Sequence, residues 1–193
     1  TIESGTITSV GGNAIRNQNG SITINGGTFT TTGQFASFDN GTAAIHNRGN
    51  MVINGGEFST EYQAPMWYGA GTENSTTVIN GGTFTSTHSG VDIQGSDGSV
   101  SVTGGQFHVD PSDYIAPGYF VKEEGSYYVV SLGNTIETVT SFSALKQALA
   151  TTDTANITIS GNVIVNENIT VPENVWLSIA PGATLTIDNA DLV

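Results

Sequence analysis

No cysteine occurs among the 193 residues, so disulfide bonds, thiolate metal sites and cysteine nucleophiles are all excluded. Basic residues are scarce: four lysines and arginines face 17 aspartates and glutamates, which gives a net charge of −13. This charge repels phosphate groups and therefore argues against nucleic acids and anionic membrane surfaces as partners. No apolar run approaches the roughly 18 residues that a membrane-spanning helix needs.

The remaining composition is that of a folded chain, because 37% of the residues are hydrophobic and can form a core. A cysteine-free sequence rich in threonine, asparagine and glycine is typical of an extracellular protein on a bacterial cell surface. The first residues, Thr1 to Gly5, do not have the pattern of a signal peptide. We therefore expect the chain to be part of a longer protein.

The pattern Gly-Gly-x-Phe occurs four times at intervals of 20 to 30 residues. The four copies are Gly26–Phe29, Gly55–Phe58, Gly81–Phe84 and Gly104–Phe107. A repeat of this length predicts a solenoid, in which each turn buries its apolar face only when a neighbour stacks on it.

Each repeat predicts three short strands, and so a triangular coil. Alternating apolar residues before the glycine pair, such as Ile22 and Ile24, indicate a strand with one buried face. The phenylalanine after the pair is the inward residue of a second strand. The third strand is marked by Ala14–Asn17, Ala44–Asn47, Met66–Gly69 and Asp92–Gly95, in which Trp67 is predicted to be a core residue and Tyr68 to face outward.

Equivalent positions of stacked coils lie above one another, which predicts two structural ladders. Asparagine precedes three of the glycine pairs and tolerates turn geometry, so the amides are expected to bond from coil to coil. The phenylalanines are expected to stack inside the core. The ladder residues are Asn25, Asn54 and Asn80, and Phe29, Phe58, Phe84 and Phe107.

Two insertions interrupt this regular spacing. Phe29 and Ile45 are 16 positions apart, where the equivalent residues of other coils are 8 or 9 apart. About seven residues are therefore inserted within Gly33 to Gly41. A shorter insertion lies around Ala70 to Asn74. Insertions in solenoids form loops and often binding surfaces.

The repeat ends after Phe107. Two segments, Tyr119 to Lys122 and Tyr127 to Val130, predict a hairpin that caps the stack and completes a first module over residues 1–131. Residues 132–140 are interpreted as a linker.

A second module, residues 141–193, begins with a helix. Ser141 is its predicted N-cap, and Phe142, Leu145, Ala148 and Leu149 share one face. Short strands then alternate from Ile157 to Ile187 and predict the first coils of another β-helix, which we expect to continue beyond Val193.

These features resemble right-handed parallel β-helix proteins of the pectin-lyase-like class, and in particular the repeat modules of large bacterial surface proteins and adhesins. The Gly-Gly-x-Phe coils followed by Asp110–Tyr119 are similar to a recurring end module, and Ile169–Ile187 is similar to opening coils. The resemblance implies an all-β fold with three-strand coils. It implies little about activity, because this fold hosts lyases, hydrolases, tail spikes and inert stalks.

Catalytic residues are not expected. The resemblance to polysaccharide lyases implies a cluster of acidic calcium ligands with an arginine or lysine base on one outer strand face. Arg16 and His46 share one predicted outer face, which Tyr68 and Gln94 continue. Asp92 is a lone carboxylate there and does not form a calcium cluster by itself. Calcium thus remains possible without a motif to support it, and no other cofactor or metal is predicted. The close acid pairs are Glu57 and Glu61, Asp110 and Asp113, and Glu123 and Glu124; the latter two pairs fall in predicted turns, and we assign a glycosidase site to none of the three. The histidines His46, His88 and His108 occupy unrelated positions, which argues against zinc.

Carbohydrate binding is the alternative function. Phe35 and Phe38 lie in the main insertion, and the next coil carries Tyr62, Met66 and Tyr68, so these side chains could form an exposed ledge that stacks on sugar rings. The other interpretation is that they fold inward and cover the inserted loop. An ice-binding face is less favoured, because Glu57 interrupts the rows of Thr-x-Thr.

The sequence therefore predicts a non-catalytic scaffold, a stalk module of a bacterial surface protein. Its expected partners are neighbouring modules of the same chain, and host or dietary glycans or surface proteins. A polysaccharide lyase or hydrolase is the less favoured possibility.

Overall fold

The computed structural model describes residues 1–33, 42–69, 75–96, 98–151, 154–172 and 175–193. The fold is a parallel β-solenoid of about seven turns with one short helix, and about half of the chain is in strands. The chain divides into two compact units. The first unit contains Thr1–Ile115 and Val121–Ser131, and the second contains Ala116–Phe120 and Leu132–Val193. The predicted insertions at 33–41 and 70–74 lie, except for Gly33, outside the described residues.

Thirteen short parallel strands build the coils of the first unit within the described residues. In chain order they are β1 (Thr6–Val10), β2 (Ile15–Asn17), β3 (Ser21–Ile24), β4 (Thr28–Thr32), β5 (Ile45–Asn47), β6 (Asn50–Ile53), β7 (Glu57–Thr60), β8 (Met66–Gly69), β9 (Thr76–Ile79), β10 (Thr83–Ser86), β11 (Ile93–Ser96), β12 (Ser99–Val102) and β13 (Gly105–Phe107).

Every third strand pairs in parallel, so each coil contributes one strand to each of three sheets. The sheet orders are β1-β4-β7-β10-β13, β2-β5-β8-β11 and β3-β6-β9-β12. This is the triangular coil that the repeat predicts. The register aligns Ile7 with Phe29, Phe58, Phe84 and Phe107.

The phenylalanines form a continuous stack in the core of the first unit. Ring centroids are 5.2 Å apart for Phe29 and Phe58, 4.8 Å for Phe58 and Phe84, and 4.9 Å for Phe84 and Phe107. All four side chains are buried, and the interplanar angles do not exceed 18°. Burying a phenylalanine stabilises a fold by roughly 1.5–3 kcal/mol, so this stack is a main source of stability.

Strand β8 corrects one prediction. Met66, not Trp67, is paired with Ile45 and is fully buried, while Trp67 lies one position further along and is partly exposed. The turn before β8 is one residue shorter than the prediction assumed. Because side chains alternate along a strand, a slip of one residue moves each of them to the opposite face.

A hairpin follows the last coil. Its strands are β14 (Tyr119–Glu124) and β15 (Tyr127–Leu132), and a 3-10 turn at Ser112–Tyr114 precedes them. β15 pairs antiparallel with β13, with Gln106 opposite Val129. The parallel run of this sheet therefore ends at β13.

The second unit contains β16 (Asn134–Val139), α1 (Phe142–Leu149), β17 (Thr154–Ile159), β18 (Asn162–Val165), β19 (Trp176–Ile179) and β20 (Thr184–Ile187). Its parallel sheets have the orders β16-β17-β19 and β18-β20. The prediction of a linker over 132–140 is wrong, because β16 occupies most of that range. Its pairing with β17 shifts register between Ile136 and Val139, and this irregularity hides the alternation that identifies a strand.

Helix α1 begins where the sequence predicts. The Ser141 Oγ accepts a hydrogen bond from the Ala144 backbone N–H at 3.2 Å, and Leu145 and Ala148 are buried. They pack into one core with Val139, Ile157, Ile159, Val163 and Val165. The helix thus covers the first coil of this unit.

Candidate functional site

Four side chains of different chemistry form a row on the outer face of the sheet β2-β5-β8-β11. The register pairs Arg16 with His46, His46 with Trp67, and Trp67 with Gln94. We call these four residues the outer row. The prediction placed Tyr68 in this row, but Tyr68 is paired with Asn47 instead, for the same one-residue reason that exposes Trp67.

His46 lies at the centre of the outer row and is fully buried. Its ring stacks on Trp67 with centroids 5.2 Å apart, and its Nε2 accepts a hydrogen bond from the Arg48 Nε at 3.2 Å. Its Nδ1 has no hydrogen-bond partner within the described part of the chain. The ring therefore joins a polar contact on one edge to an aromatic contact on its face.

Burial first, and then the nearby positive charges of Arg48 and Arg16, together lower the pKa of His46 from 6.5 to about 4. The imidazole is thus uncharged at neutral pH. An efficient general base has a pKa near the working pH and reaches its substrate, whereas this ring is buried and its Nε2 already accepts a hydrogen bond from Arg48. The His46 ring is therefore better suited to stacking on Trp67 and holding the Arg48 side chain than to transferring a proton.

The predicted carbohydrate ledge is only partly described. Phe35 and Phe38 lie outside the described residues. Tyr62 stacks on His88 with centroids 5.1 Å apart, and Tyr68 meets Tyr114 edge-on at 6.3 Å. The two tyrosines thus belong to separate ring pairs. Trp67 is the partly exposed aromatic that sequence reasoning missed.

A buried hydrogen-bond network lies at the end of the same sheet. Asn17 Nδ2 donates to Asn47 Oδ1 at 2.8 Å, and Asn47 Nδ2 donates to Thr77 Oγ1 at 2.9 Å. Asn47 also accepts from the Gly49 N–H, so each of its amide atoms is used. The network was missed, although an available signal was the repeat Ile-x-Asn shortly before glycine at Ile15 and Ile45.

The asparagines before the glycine pairs form an exposed ladder. Asn54 Nδ2 donates to Asn25 Oδ1, and Asn80 Nδ2 donates to Asn54 Oδ1, both at 2.8 Å. Glu3 accepts from Asn25 at one end, and Thr103 donates to Asn80 at the other. These side chains satisfy one another, which indicates an architectural role.

An open groove of about 670 Å³ runs beside this ladder across the glycine pairs. It exists because side chains are excluded there. A Cβ on Gly55 would lie 2.9 Å from the Asn25 carbonyl oxygen, and Gly56 has a φ of 118°. The glycines are therefore required by the close approach of neighbouring coils and by the turn.

Neither a metal-binding cluster nor a membrane-spanning helix is found among the described residues. No cluster of three or more histidines, aspartates or glutamates there could hold a metal ion. Nor does any described helix have the length and hydropathy to cross a membrane.

No family model matches the chain, and no curated protein or solved structure is significantly similar to it. The resemblance to pectin-lyase-like repeats therefore stays a prediction from the residues.

Proposed function

We propose that this chain is a non-catalytic scaffold, a stalk module of an extracellular bacterial surface protein. The observation that carries the proposal is the continuous phenylalanine stack, with 4.8 to 5.2 Å between neighbouring rings. A stack of equal layers makes a stiff element, because no coil can move without losing contacts to its neighbours.

Each coil adds length to the module although it contains few residues. Neighbouring strands in a sheet are about 4.8 Å apart, so the four steps from β1 to β13 extend the first unit by roughly 19 Å. We further infer that the coils wind right-handedly and that the hairpin β14–β15 protects the last coil from pairing with other chains.

Single-molecule stretching tests the stalk. We expect the chain to resist force and then unfold in discrete steps, because breaking one layer exposes the next. Phe58→Ala should lower the force of the first unit's step, since one of the two inner rings of the four-ring stack is lost. A smooth extension at low force, as for a flexible linker, would contradict the proposal.

Carbohydrate binding is the second candidate, favoured by the partial exposure of Trp67 between His46 and Gln94 on the outer row. A glycan array separates the two functions. Binding that is lost in Trp67→Ala, Tyr68→Ala or Phe38→Ala supports recognition of sugars. Absence of binding to host and plant glycans favours the stalk.

A further inference from the structure

The segment Val109–Ile115 lies over the last coil of the first unit, and we call it the strap. Strands β11 and β12 are the last members of their sheets within the described residues. Their inward side chains are nevertheless buried, since Ile93 is 4% exposed and Val102 is 0% exposed. Ile7, the inward residue of the first strand at the opposite end of the stack, is 40% exposed.

Contacts near both ends of the strap hold it on the coil. The Val109 N–H donates a hydrogen bond to Asp92 Oδ2 at 2.7 Å. The Tyr114 hydroxyl donates to the Ile93 carbonyl oxygen at 3.4 Å, and Ile115 forms a parallel bridge with β12. The strap therefore lies where a further coil would lie and covers the inward side chains of β11 and β12.

The strap is packed less tightly than a coil. A cavity of about 80 Å³ lies between it and β11. Among the strap residues only Pro111 is buried. Atoms that border a cavity lack the dispersion contacts that a filled core provides. Lifting the strap should thus cost less free energy than separating two coils whose phenylalanine rings are stacked.

The charge of Asp92 affects how firmly the strap closes. The residue is 3% exposed, and its Oδ1 has no hydrogen-bond partner in the described part of the chain. An ionised carboxylate in this position is costly because one of its oxygens has neither water nor a donor, whereas the protonated acid carries no charge. Since a lifted strap gives water access to Asp92, ionisation favours the open strap and protonation favours the closed one.

We propose that the strap is a pH-sensitive cover of the last coil, which closes when the Asp92 carboxyl is protonated and opens more readily when it is ionised. The open strap uncovers the edges of β11 and β12. Uncovered strand edges are able to pair with other strands, so the protonation of one buried carboxyl controls access to this end of the first unit.

The direction of the pH effect follows from the burial of Asp92. Burial raises its pKa from 3.8 to about 6, although backbone hydrogen bonds and the charge of His108 act in the opposite direction. The closed strap is therefore fully favoured below about pH 3.8, and this advantage is lost as the pH rises through 6. The other titratable groups around this carboxyl are His108, Asp110, Asp113 and Tyr114.

Amide hydrogen exchange at Val109 measures the opening of the strap, because this N–H bonds to Asp92. We expect its protection factor to fall roughly 50-fold between about pH 4 and about pH 7. Protection in β7, which lies between β4 and β10, should stay nearly constant. A parallel fall in β7 would mean that the whole unit unfolds, and either that result or a constant protection of Val109 would overturn the proposal.

Three variants assign the effect to one carboxyl. Asp92→Asn keeps the size and removes the charge, so Val109 protection at about pH 7 should rise to the native level at about pH 4 and lose its pH dependence. Asp113→Asn, at an exposed acid that lines the same cavity, is the matched control and should keep the native pH dependence. His108→Gln should keep it as well.

Two results with these variants would contradict the proposal. Low protection of Val109 in Asp92→Asn at both pH values would mean that the carboxylate charge holds the strap closed. Loss of the pH dependence in Asp113→Asn or His108→Gln would assign the titration to another group.

Discussion

The two units build their cores in different ways. In the first unit, four phenylalanines occupy equivalent positions and are all equally buried. In the second unit the core is aliphatic and lies under a helix, and burial falls along the chain: Ile159 is 0% exposed, whereas Ile179, its partner in the next strand, is 51% exposed. The first unit thus distributes its stability over equal layers, and the second concentrates it beneath α1.

The largest test of this difference is Phe58→Ala compared with Leu145→Ala. We expect a loss of about 4 kcal/mol for the phenylalanine and about 3 kcal/mol for the leucine, because both side chains are fully buried. The two losses should spread differently. Hydrogen exchange should show weaker protection in β4 and β10 for Phe58→Ala, since both neighbouring rings lose a stacking partner.

For Leu145→Ala, lost protection should be confined to β16, β17 and β18. If Phe58→Ala weakens β7 alone, the layers of the first unit are not coupled and the contrast between the units fails.

The second test uses pH and acts on the first unit. The pKa of His46 is lowered to about 4, so its contribution to stability is present above about pH 6.5 and is lost as the pH falls through 4. The pKa of Asp92 is raised to about 6, so its contribution is present below about pH 3.8 and is lost as the pH rises through 6. Each contribution is about 3 kcal/mol, and between pH 4 and 6 they oppose each other.

We therefore expect the native chain to show a nearly flat stability over this window. Asp92→Asn should make the protein less stable as the pH falls, and His46→Gln should make it less stable as the pH rises. Urea unfolding across the window measures both slopes. Two variants that change with the same sign would refute the assignment.

The third and smallest test compares glycines. A Cβ on Gly104 would lie 2.3 Å from the Asn80 carbonyl oxygen of the preceding coil, whereas Gly182 has no heavy atom within 4 Å and only a positive φ of 84°. Gly104→Ala should cost about 2–3 kcal/mol through overpacking. Gly182→Ala should cost about 1 kcal/mol through backbone strain.

Gly90→Ala is the control, because nothing surrounds that position and its φ is not positive. Its effect on the midpoint of thermal unfolding should be close to zero. A similar cost for Gly104→Ala and Gly182→Ala would show that neighbouring coils do not constrain the first unit more strongly.

Sequence reasoning succeeded where a residue repeats at a fixed spacing. The Gly-Gly-x-Phe repeat predicts the solenoid, because each repeat has the same turn and buries its phenylalanine ring only when the next coil stacks on it. It failed where one residue changes the register. Trp67 was assigned to the core because it follows Phe58 by nine positions, as Ile93 follows Phe84. The shorter turn before β8 could be recognised only from the pairing of Met66 with Ile45.

The candidate sites were harder to predict than the fold. Asp92 is one carboxylate among 17 acidic residues, and the Val109 N–H that bonds to it lies 17 positions further along the chain. The predicted carbohydrate residues Phe35 and Phe38 lie outside the described residues, so their role stays a prediction. Contacts between distant segments have no signature in local sequence.

The asparagine ladder also has a direction. Thr103, Asn80, Asn54 and Asn25 each donate toward the beginning of the chain, and the series ends on the Glu3 carboxylate. Aligned hydrogen bonds polarise one another, by about 10–30% per bond, and a terminal anion is the acceptor that reinforces them. The edge of the solenoid therefore carries an oriented line of amide dipoles, and the two ends of the first unit differ electrostatically even though its layers are alike.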